Sequence, residues 1–304
     1  MSLAPLLSST LTYLMALLAM AFYTLLERKG LAYFQTRKGP NKVSLMGIPQ
    51  PMADALKLFT KEQASPAHGN TLLFFVSPIL ALILALILWT IYPHMFMSQF
   101  MPFGILFFLC VSSFNVYTIL LAGWASNSKY SLLGALRSIA QTISYEISMA
   151  LILLVLLVLI KTLSFSHAPF HIASPAMSFL PMIFFLWMIT VLAETNRTPF
   201  DLAEGESELV SGFNIEYSSS SFALIFMAEY TNIIIMSLLT TALFCPNPQL
   251  MIPLSTLLIS FMFIWIRATF PRMRYDHLMY LTWKSFLPMA ISFLLCIVPI
   301  TIVM

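Results

Sequence analysis

Long apolar stretches separated by polar connectors dominate the pattern of this chain. They cover residues 3–26, 72–92, 103–124, 137–160, 176–193, 218–244, 251–266 and 286–303. Stretches of about 20 residues can cross a hydrocarbon core of roughly 30 Å as α-helices. Transmembrane β-strands would instead alternate apolar and polar residues over about ten positions. The pattern predicts an all-α integral membrane protein of about eight transmembrane helices.

Composition agrees with this class, because 60% of the 304 residues are hydrophobic and 9% are charged. Soluble domains carry about 25% charged residues. There is no internal repeat or low-complexity tract, so residues 1–304 are expected to form a single polytopic membrane domain. The net charge of +3 does not favour nucleic acid as a partner. Cys110, Cys245 and Cys296 lack cluster-ligand spacing and are expected to be buried structural thiols.

The cations are distributed unevenly between the two sides of the predicted bundle. With eight spans, fourteen of the fifteen fall on one side: Arg28, Lys29, Arg37, Lys38, Lys42, Lys57, Lys61, Lys129, Arg137, Arg197, Arg267, Arg272, Arg274 and Lys284. Only Lys161 falls on the other. By the positive-inside rule, both termini should lie opposite the cationic side.

The first connector, residues 27–71, is too long for a simple loop and contains a candidate amphipathic helix at about residues 50–62. Pro51 suits the start of a helix. Met52, Ala55, Leu56 and Phe59 would line one face, whereas Asp54, Lys57 and Lys61 would line the other. Such a helix should lie in the headgroup plane. Its apolar face would serve either as a surface anchor or as one wall for a lipid-like ligand.

The connector at residues 194–217 is acidic. From Asp201 to Glu216 it holds five acids and no cation: Asp201, Glu204, Glu206, Glu208 and Glu216. Pro199 suits a first helical position, so a short helix is predicted from there to about Val210, ending at Gly212. Glu204 and Glu208 would share one face of it. An acidic run can be a merely solvated surface, but desolvated carboxylates raise one another's pKa and can carry protons.

Two further acids, Glu146 and Glu229, fall inside predicted spans. Ionisable groups within a membrane are costly unless they are paired or hydrated. Each could form a structural hydrogen bond between helices. Alternatively, together with the acidic connector, they could form a relay that conducts protons or cations partway into the membrane.

Several kinds of site are missing from the sequence. The nine glycines never form a GxG pair, so no dinucleotide-binding loop is predicted. His167 and His171 have the spacing of metal ligands, but Pro169 between them argues against a continuous helical face. No metal or redox centre is therefore expected in this chain.

Several motifs together resemble the subunit 1 family of mitochondrial NADH:ubiquinone oxidoreductase, or respiratory complex I. The segments that carry the resemblance are 27–29, 37–41, 50–59, 123–128, 141–146, 194–217, 228–232 and 271–276. They cover most of the chain. Ser220 and Ser221 depart from the pattern, since many relatives carry glycine or proline there, and the extra Pro49 could shift the start of the amphipathic helix.

The resemblance implies a subunit without a redox centre of its own, with ubiquinone as the substrate of the assembly. It implies a membrane part of the quinone tunnel between the first, amphipathic and sixth helices, with Arg28, Asp54, Phe59, Phe226, Arg272 and Arg274 as candidates. It also implies a glutamate-lined proton path containing Glu146, Glu194, Asp201, Glu204, Glu206, Glu208, Glu216 and Glu229.

The same resemblance implies partners and a location. The partners would be peripheral quinone-module subunits, small and antiporter-like membrane subunits, and lipids. The location would be the mitochondrial inner membrane, with the charged connectors toward the matrix and both termini toward the intermembrane space. The alternatives are a self-contained ion transporter, whose usual two related halves are not visible here, and a structural membrane anchor.

Overall fold

Helices make up the regular structure of the chain. The computed structural model describes residues 3–44, 46–93, 101–165, 181–203, 205, 211–245 and 251–303, and within these ranges there is no strand. The α-helices are α1 (Leu3–Phe34), α2 (Gln50–Thr60), α3 (Thr71–Leu88), α4 (Gly104–Ala125), α5 (Lys129–Ile160), α6 (Pro181–Glu194), α7 (Ser219–Phe244), α8 (Ile252–Thr269), α9 (Tyr275–Leu281) and α10 (Leu287–Val303). A π-helical turn, Thr282–Phe286, joins α9 to α10.

Seven helical segments within the described ranges are long and apolar enough to cross a membrane. They are α1, α3, α4, α5, α7, α8 and the continuous segment of α9 and α10. The predicted fifth span corresponds to α6, which has 14 residues, and the first part of that predicted span lies outside the described residues. The prediction of an all-α integral membrane protein is confirmed, and the count of eight is approximate.

Three spans extend beyond their apolar stretches. The first was expected to end at residue 26, but α1 continues to Phe34. The fourth was expected from residue 137, but α5 begins at Lys129, where the Ser128 side chain caps the helix by accepting from the Ser131 N–H. The last begins at Tyr275 and therefore includes Lys284, whose ammonium lies 4.4 Å from the Tyr280 ring centroid. Polar residues enter these helices where they find partners.

The long helix α5 lies at the centre of the packing. It contacts α4, α6, α9 and α10. Its side chains Tyr145, Met149 and Leu153 are almost fully buried. Trp187 of α6 and Phe244 of α7 are also fully buried and belong to the same cluster. This core fixes α6, and hence the start of the acidic connector, against α5.

The helix α7 forms a second centre, because it contacts α1, α2, α3 and α8. The short helix α2 lies against α1 and α7, yet none of its residues is buried. Its start is marked by proline, with Pro49 at the N-cap and Pro51 within the first turn. The consecutive helices α1 and α2 and the distant helix α7 are thereby brought around one space.

The outer surface of the bundle is apolar. Tyr117, Leu258 and Leu295 are among its exposed side chains, as expected where a membrane replaces water. The prediction of buried cysteines is wrong for Cys110 and Cys296, which are exposed, whereas Cys245 is half-buried. A thiol is apolar enough to occupy such a surface.

The predicted helix start at Pro199 is wrong. Residues 198–203 form turns and bends, and the remainder up to Val210 lies outside the described residues apart from Gly205. Tertiary contacts override the local helix signals: the Gln141 amide donates to the Ala193 and Phe200 carbonyls at 3.1 and 2.8 Å. The Met273 N–H donates to the Pro199 carbonyl at 3.0 Å.

Glycine at position 134 lets the end of the acidic connector approach α5. A Cβ atom there would lie 2.9 Å from the Gly212 backbone. Gly134→Ala should therefore lower thermal stability of the detergent-purified protein, because overpacking costs about 1–3 kcal/mol and exceeds the gain in helix propensity. Gly104→Ala is the matched control, since its Cβ would approach no atom more closely than the Phe165 Cβ, at 3.3 Å. A stabilised Gly134→Ala protein would contradict the close approach.

Candidate functional site

An elongated cavity of about 700 Å³ lies between α1, α2 and α7. Its wall consists of Leu14, Leu17, Leu18, Met20, Ala21, Thr24, Arg28, Pro51, Met52, Asp54, Ala55, Leu58, Phe222, Ala223, Phe226, Met227 and Tyr230. Along α1 the wall runs from Leu14 to Arg28, which is roughly 21 Å at 1.5 Å per residue. Most of these side chains are apolar. The cavity therefore has the shape and surface to hold a long apolar chain.

A polar pair closes one end of this wall. The Arg28 guanidinium donates to the Asp54 carboxylate at 2.5 Å, and the Gln50 amide donates to the other carboxylate oxygen at 2.9 Å. Arg28 comes from α1, whereas Gln50 and Asp54 are four residues apart on one face of α2. Both members of the ion pair reach solvent. The pair joins α1 to α2 and offers charged and hydrogen-bonding groups to a polar head.

The other tunnel candidates lie in different places. Phe226 lines the cavity, whereas Phe59 is half exposed and is not among its lining residues. Arg272 donates to Asp201 at 2.7 Å. Arg274 forms an exposed ion pair with Asp276 at 3.0 Å. The cavity therefore brings together three of the six candidates, Arg28, Asp54 and Phe226, and leaves the other three outside its wall.

Beside the cavity lies a set of charged and polar residues around the buried Glu27, which we term the ionic cluster: Glu27, Arg197, Arg267 and Tyr230. One Glu27 carboxylate oxygen accepts from Arg197 at 3.4 Å and also from Arg267. The Arg197 guanidinium lies 4.4 Å from the centroid of the Tyr230 ring. That distance is within the range of a cation–π interaction. The cluster joins α1, α7, α8 and the acidic connector.

Arg197 remains charged in this cluster. Burial alone would lower the pKa of Arg197, but the Glu27 carboxylate, the Tyr230 hydroxyl and the Glu229 carboxylate raise it above its ordinary value. Buried ions are tolerated only when neighbouring charges and hydrogen bonds offset their desolvation. The cluster therefore holds a permanent positive charge close to Glu229.

A second, smaller cavity of about 40 Å³ lies between α3, α4, α6 and α7, and we term it the carboxylate pocket. Glu194 and Glu229 line it, with Asn115, Asn196 and Asn232. Three buried oxygens, Glu194 Oε2, Asn196 Oδ1 and Asn232 Oδ1, have no hydrogen-bond partner among the described residues. A water molecule needs roughly 10–15 Å³ and two to four polar partners. The pocket can therefore hold ordered water between the two carboxylates.

Tyr217 lies beside this pocket. Its hydroxyl is 3.0 Å from Ser77 Oγ and donates to the Ala122 carbonyl at 3.3 Å, and both of these residues line the pocket. Its ring stacks on Phe74 with centroids 4.2 Å apart. Burial raises the pKa of Tyr217 to about 12, although the hydrogen bond with Ser77 lowers it. Tyr217 therefore stays neutral near pH 7.

The candidate proton-path acids divide into groups. Glu194 and Glu229 share the carboxylate pocket, and Glu146 is close enough for its charge to act on Glu194. Asp201 is instead buried in its ion pair with Arg272. Glu216 is half-buried beyond the 3-10 turn Gly212–Asn214. Glu204, Glu206 and Glu208 lie outside the described residues.

The ionic cluster was not among the sites predicted from the sequence. Glu27 was assigned to a connector because it follows the apolar stretch, and Arg267 was counted only as a cation on one side. One signal in the sequence could have indicated the cluster. Glu27 directly follows the first predicted span, and a carboxylate near the membrane requires a partner, as Glu146 and Glu229 do. The described residues contain no group of three or more His, Cys, Asp or Glu side chains arranged for a metal ion.

Comparisons with known proteins agree with the resemblance. The family model described as NADH dehydrogenase matches residues 8–298. NADH-ubiquinone oxidoreductase chain 1 of Aedes aegypti is 51% identical over 294 residues, covering 95% of this chain and 93% of the relative. The proteins of that name from Heterololigo bleekeri and Phascolarctos cinereus are each 50% identical, over 98% and 94% of this chain and 97% and 93% of their own lengths.

The ionic cluster predicts that removing the charge of Glu27 lowers stability far more than removing the charge of Asp276. Glu27→Gln removes the shared counterion of two arginines and should destabilise the fold by about 3 kcal/mol, the cost of breaking a buried pair. Asp276→Asn is the matched control, because its pair with Arg274 is exposed and should contribute at most about 1 kcal/mol. Thermal melting of both variants in detergent measures the difference, and equal melting temperatures would show that Glu27 is not held as described.

Proposed function

Because the chain belongs to the NADH dehydrogenase family, we propose that it is a core membrane subunit of a proton-pumping NADH:ubiquinone oxidoreductase. The observation that carries the proposal is the elongated apolar cavity between α1, α2 and α7, which lies next to the ionic cluster and the carboxylate pocket. The subunit contributes to quinone reduction only within the assembly. It has no isolated catalytic activity in this proposal.

The cavity serves as the membrane part of the ubiquinone access tunnel. An isoprenoid tail is long and apolar, and the wall from Leu14 to Arg28 offers apolar contacts along its length. The Arg28–Asp54 pair offers hydrogen bonds to a quinone head that passes the end of this wall. Ubiquinone is the substrate of the assembly, and this chain holds no redox cofactor of its own.

The carboxylate pocket serves as the start of a proton path toward the antiporter-like subunits. Glu194 and Glu229 flank a space that accommodates water, and Glu146 lies near Glu194. Proton transfer along such groups requires hydrogen-bonded contact through carboxyls and water. Asp201, Glu204, Glu206, Glu208 and Glu216 would extend the path toward the peripheral subunits.

The remaining tunnel candidates belong to the surface that faces those subunits. Arg272 holds Asp201, and a backbone hydrogen bond from Met273 to Pro199 ties the same two connectors. Arg274 and the exposed Phe59 lie outside the cavity wall and would contact partner subunits or lipid near its mouth. This arrangement gives the acidic connector a fixed position in the assembly.

The assembly lies in the mitochondrial inner membrane in this proposal. The charged connectors face the matrix, where peripheral quinone-module subunits bind them, and both termini face the intermembrane space. The apolar outer surface contacts lipids and neighbouring membrane subunits. The excess of cations on one side supports this orientation.

The two faces of α2 make the tunnel testable. A photoreactive ubiquinone with a reactive group on its tail should label Met52 and Met227, which line the cavity, in the intact complex. Lys57 and Thr60, which are exposed on the same helix and do not line the cavity, provide the internal control and should stay unlabelled. Labelling is read by mass spectrometry of the isolated subunit. Labels only on Lys57 and Thr60, or on other subunits, would contradict the tunnel.

The carboxylate pocket is tested by separating two activities of the complex. Glu194→Gln and Glu229→Gln keep size and hydrogen bonding but abolish titration. We expect quinone-dependent NADH oxidation to fall roughly tenfold or more, while oxidation by an artificial acceptor, which bypasses the membrane, stays near wild type. Glu62→Gln, at an exposed position after α2, is the matched control. If both pocket variants kept wild-type turnover and pumping, Glu194 and Glu229 would have only a structural role.

A further inference from the structure

The apolar cavity and the carboxylate pocket are both lined by α7, and two pairs of adjacent residues connect them. Tyr230 lines the cavity, whereas its neighbour Glu229 lines the pocket. Asn196 lines the pocket, whereas its neighbour Arg197 stacks on Tyr230. Each pair therefore contributes one residue to the pocket and one to the ring contact at the cavity wall.

We propose that Arg197 is a positioning residue that links the occupancy of the apolar cavity to the protonation of Glu229 through its stacking contact with Tyr230. The proposal rests on the proposed function, because it takes the occupant to be ubiquinone. It assigns Arg197 an electrostatic role in addition to its role in the fold. Tyr230 is the contact through which the occupant acts.

The charges of the cluster support this role. Glu27 carries one negative charge and shares it between Arg197 and Arg267, so the three side chains together carry one net positive charge. Glu229 is close enough for its carboxylate to act on Arg197. A charge interaction in a water-poor interior is much stronger than the same interaction in water. A small displacement of the Arg197 guanidinium is therefore sufficient to change the balance between charged and neutral Glu229.

The contacts of Arg197 make such a displacement possible. Its salt bridge to Glu27 is long, at 3.4 Å, and its Nη2 atom is buried without a hydrogen-bond partner among the described residues. Arg197 also contacts Tyr230, whose ring face it covers, whose hydroxyl it approaches, and whose ring forms part of the cavity wall. A molecule that fills the cavity changes the space around this ring. The guanidinium stacked on the ring then shifts relative to Glu229.

Arg267 provides a matched comparison within the same cluster. It binds the same Glu27 oxygen as Arg197, but its side chain is more exposed, at 35% against 14%. No contact of Arg267 with Tyr230 is found among the described residues. A clamp that merely holds the helices together requires both arginines. A link between the two cavities requires Arg197 alone.

The experiment is infrared difference spectroscopy of the intact, oxidised complex with a short-chain ubiquinone and without NADH, so that binding is observed without turnover. In the complex with wild-type sequence we expect a carboxyl band that Glu229→Gln abolishes. Arg197→Gln should remove most of this band, whereas Arg267→Gln should keep it at wild-type amplitude per assembled complex. Arg197→Lys, which retains charge without the planar stack, should give an intermediate amplitude.

A second pair of variants tests the same proposal if the complex with Arg197→Gln does not assemble. Tyr230→Phe preserves the ring face and should retain the band, whereas Tyr230→Leu removes the face and should lose it. Equal loss in the Arg197 and Arg267 variants would identify a structural clamp and overturn the proposal. A wild-type complex without a Glu229-dependent band, or an unchanged band in Arg197→Gln, would also overturn it.

Photolabelling of Met52 and Met227 separates this failure from that of the proposed function. If labelling succeeds and the band does not respond to Arg197, only the link is wrong. If the quinone does not label the cavity at all, the proposed function itself fails.

Discussion

A carboxylate inside a tightly packed apolar bundle must find a counterion, and Glu27 meets that requirement with two arginines drawn from distant parts of the chain. Arg197 comes from the connector after α6, and Arg267 comes from the end of α8. Their shared contact allows α1 to continue past its apolar stretch to Phe34. That extension brings Arg28 to the level of α2, where it pairs with Asp54. The wall of the large cavity therefore depends on the ion pairs that Glu27 forms beside it.

The spanning helices and α2 could be predicted from the sequence, because they depend on segment length and composition. Apolar stretches near 20 residues give spanning helices regardless of their neighbours, and Pro51 with the alternation of apolar and polar residues indicated α2. Features that depend on distant contacts were not predicted. The signals for a helix at Pro199 were locally sound, but Gln141 and Met273 take the backbone carbonyls at Ala193, Phe200 and Pro199 into tertiary hydrogen bonds.

The candidate site shows the same division. The resemblance implied a tunnel between the first, amphipathic and sixth helices, and a cavity lies between α1, α2 and α7. The faces of α2 were harder to assign, because Met52 and Ala55 line the cavity together with Asp54, while Leu56 and Phe59 are exposed and are not among its lining residues. A helical pattern distinguishes apolar from polar faces, but it does not tell which part of a broad apolar face meets protein and which part meets lipid.

The two cavities differ in how many of their lining groups need hydrogen-bond partners. The large cavity is lined mainly by side chains that require no hydrogen bonds, so an apolar occupant can enter or leave without exposing an unpaired group. The carboxylate pocket holds buried oxygens that need partners, so it favours retained water. A protein that moved a substrate and a proton through one space would have to meet both requirements at once. Here α7 lines both spaces with different residues, and the contact between Tyr230 and Arg197 is the link that we propose between them.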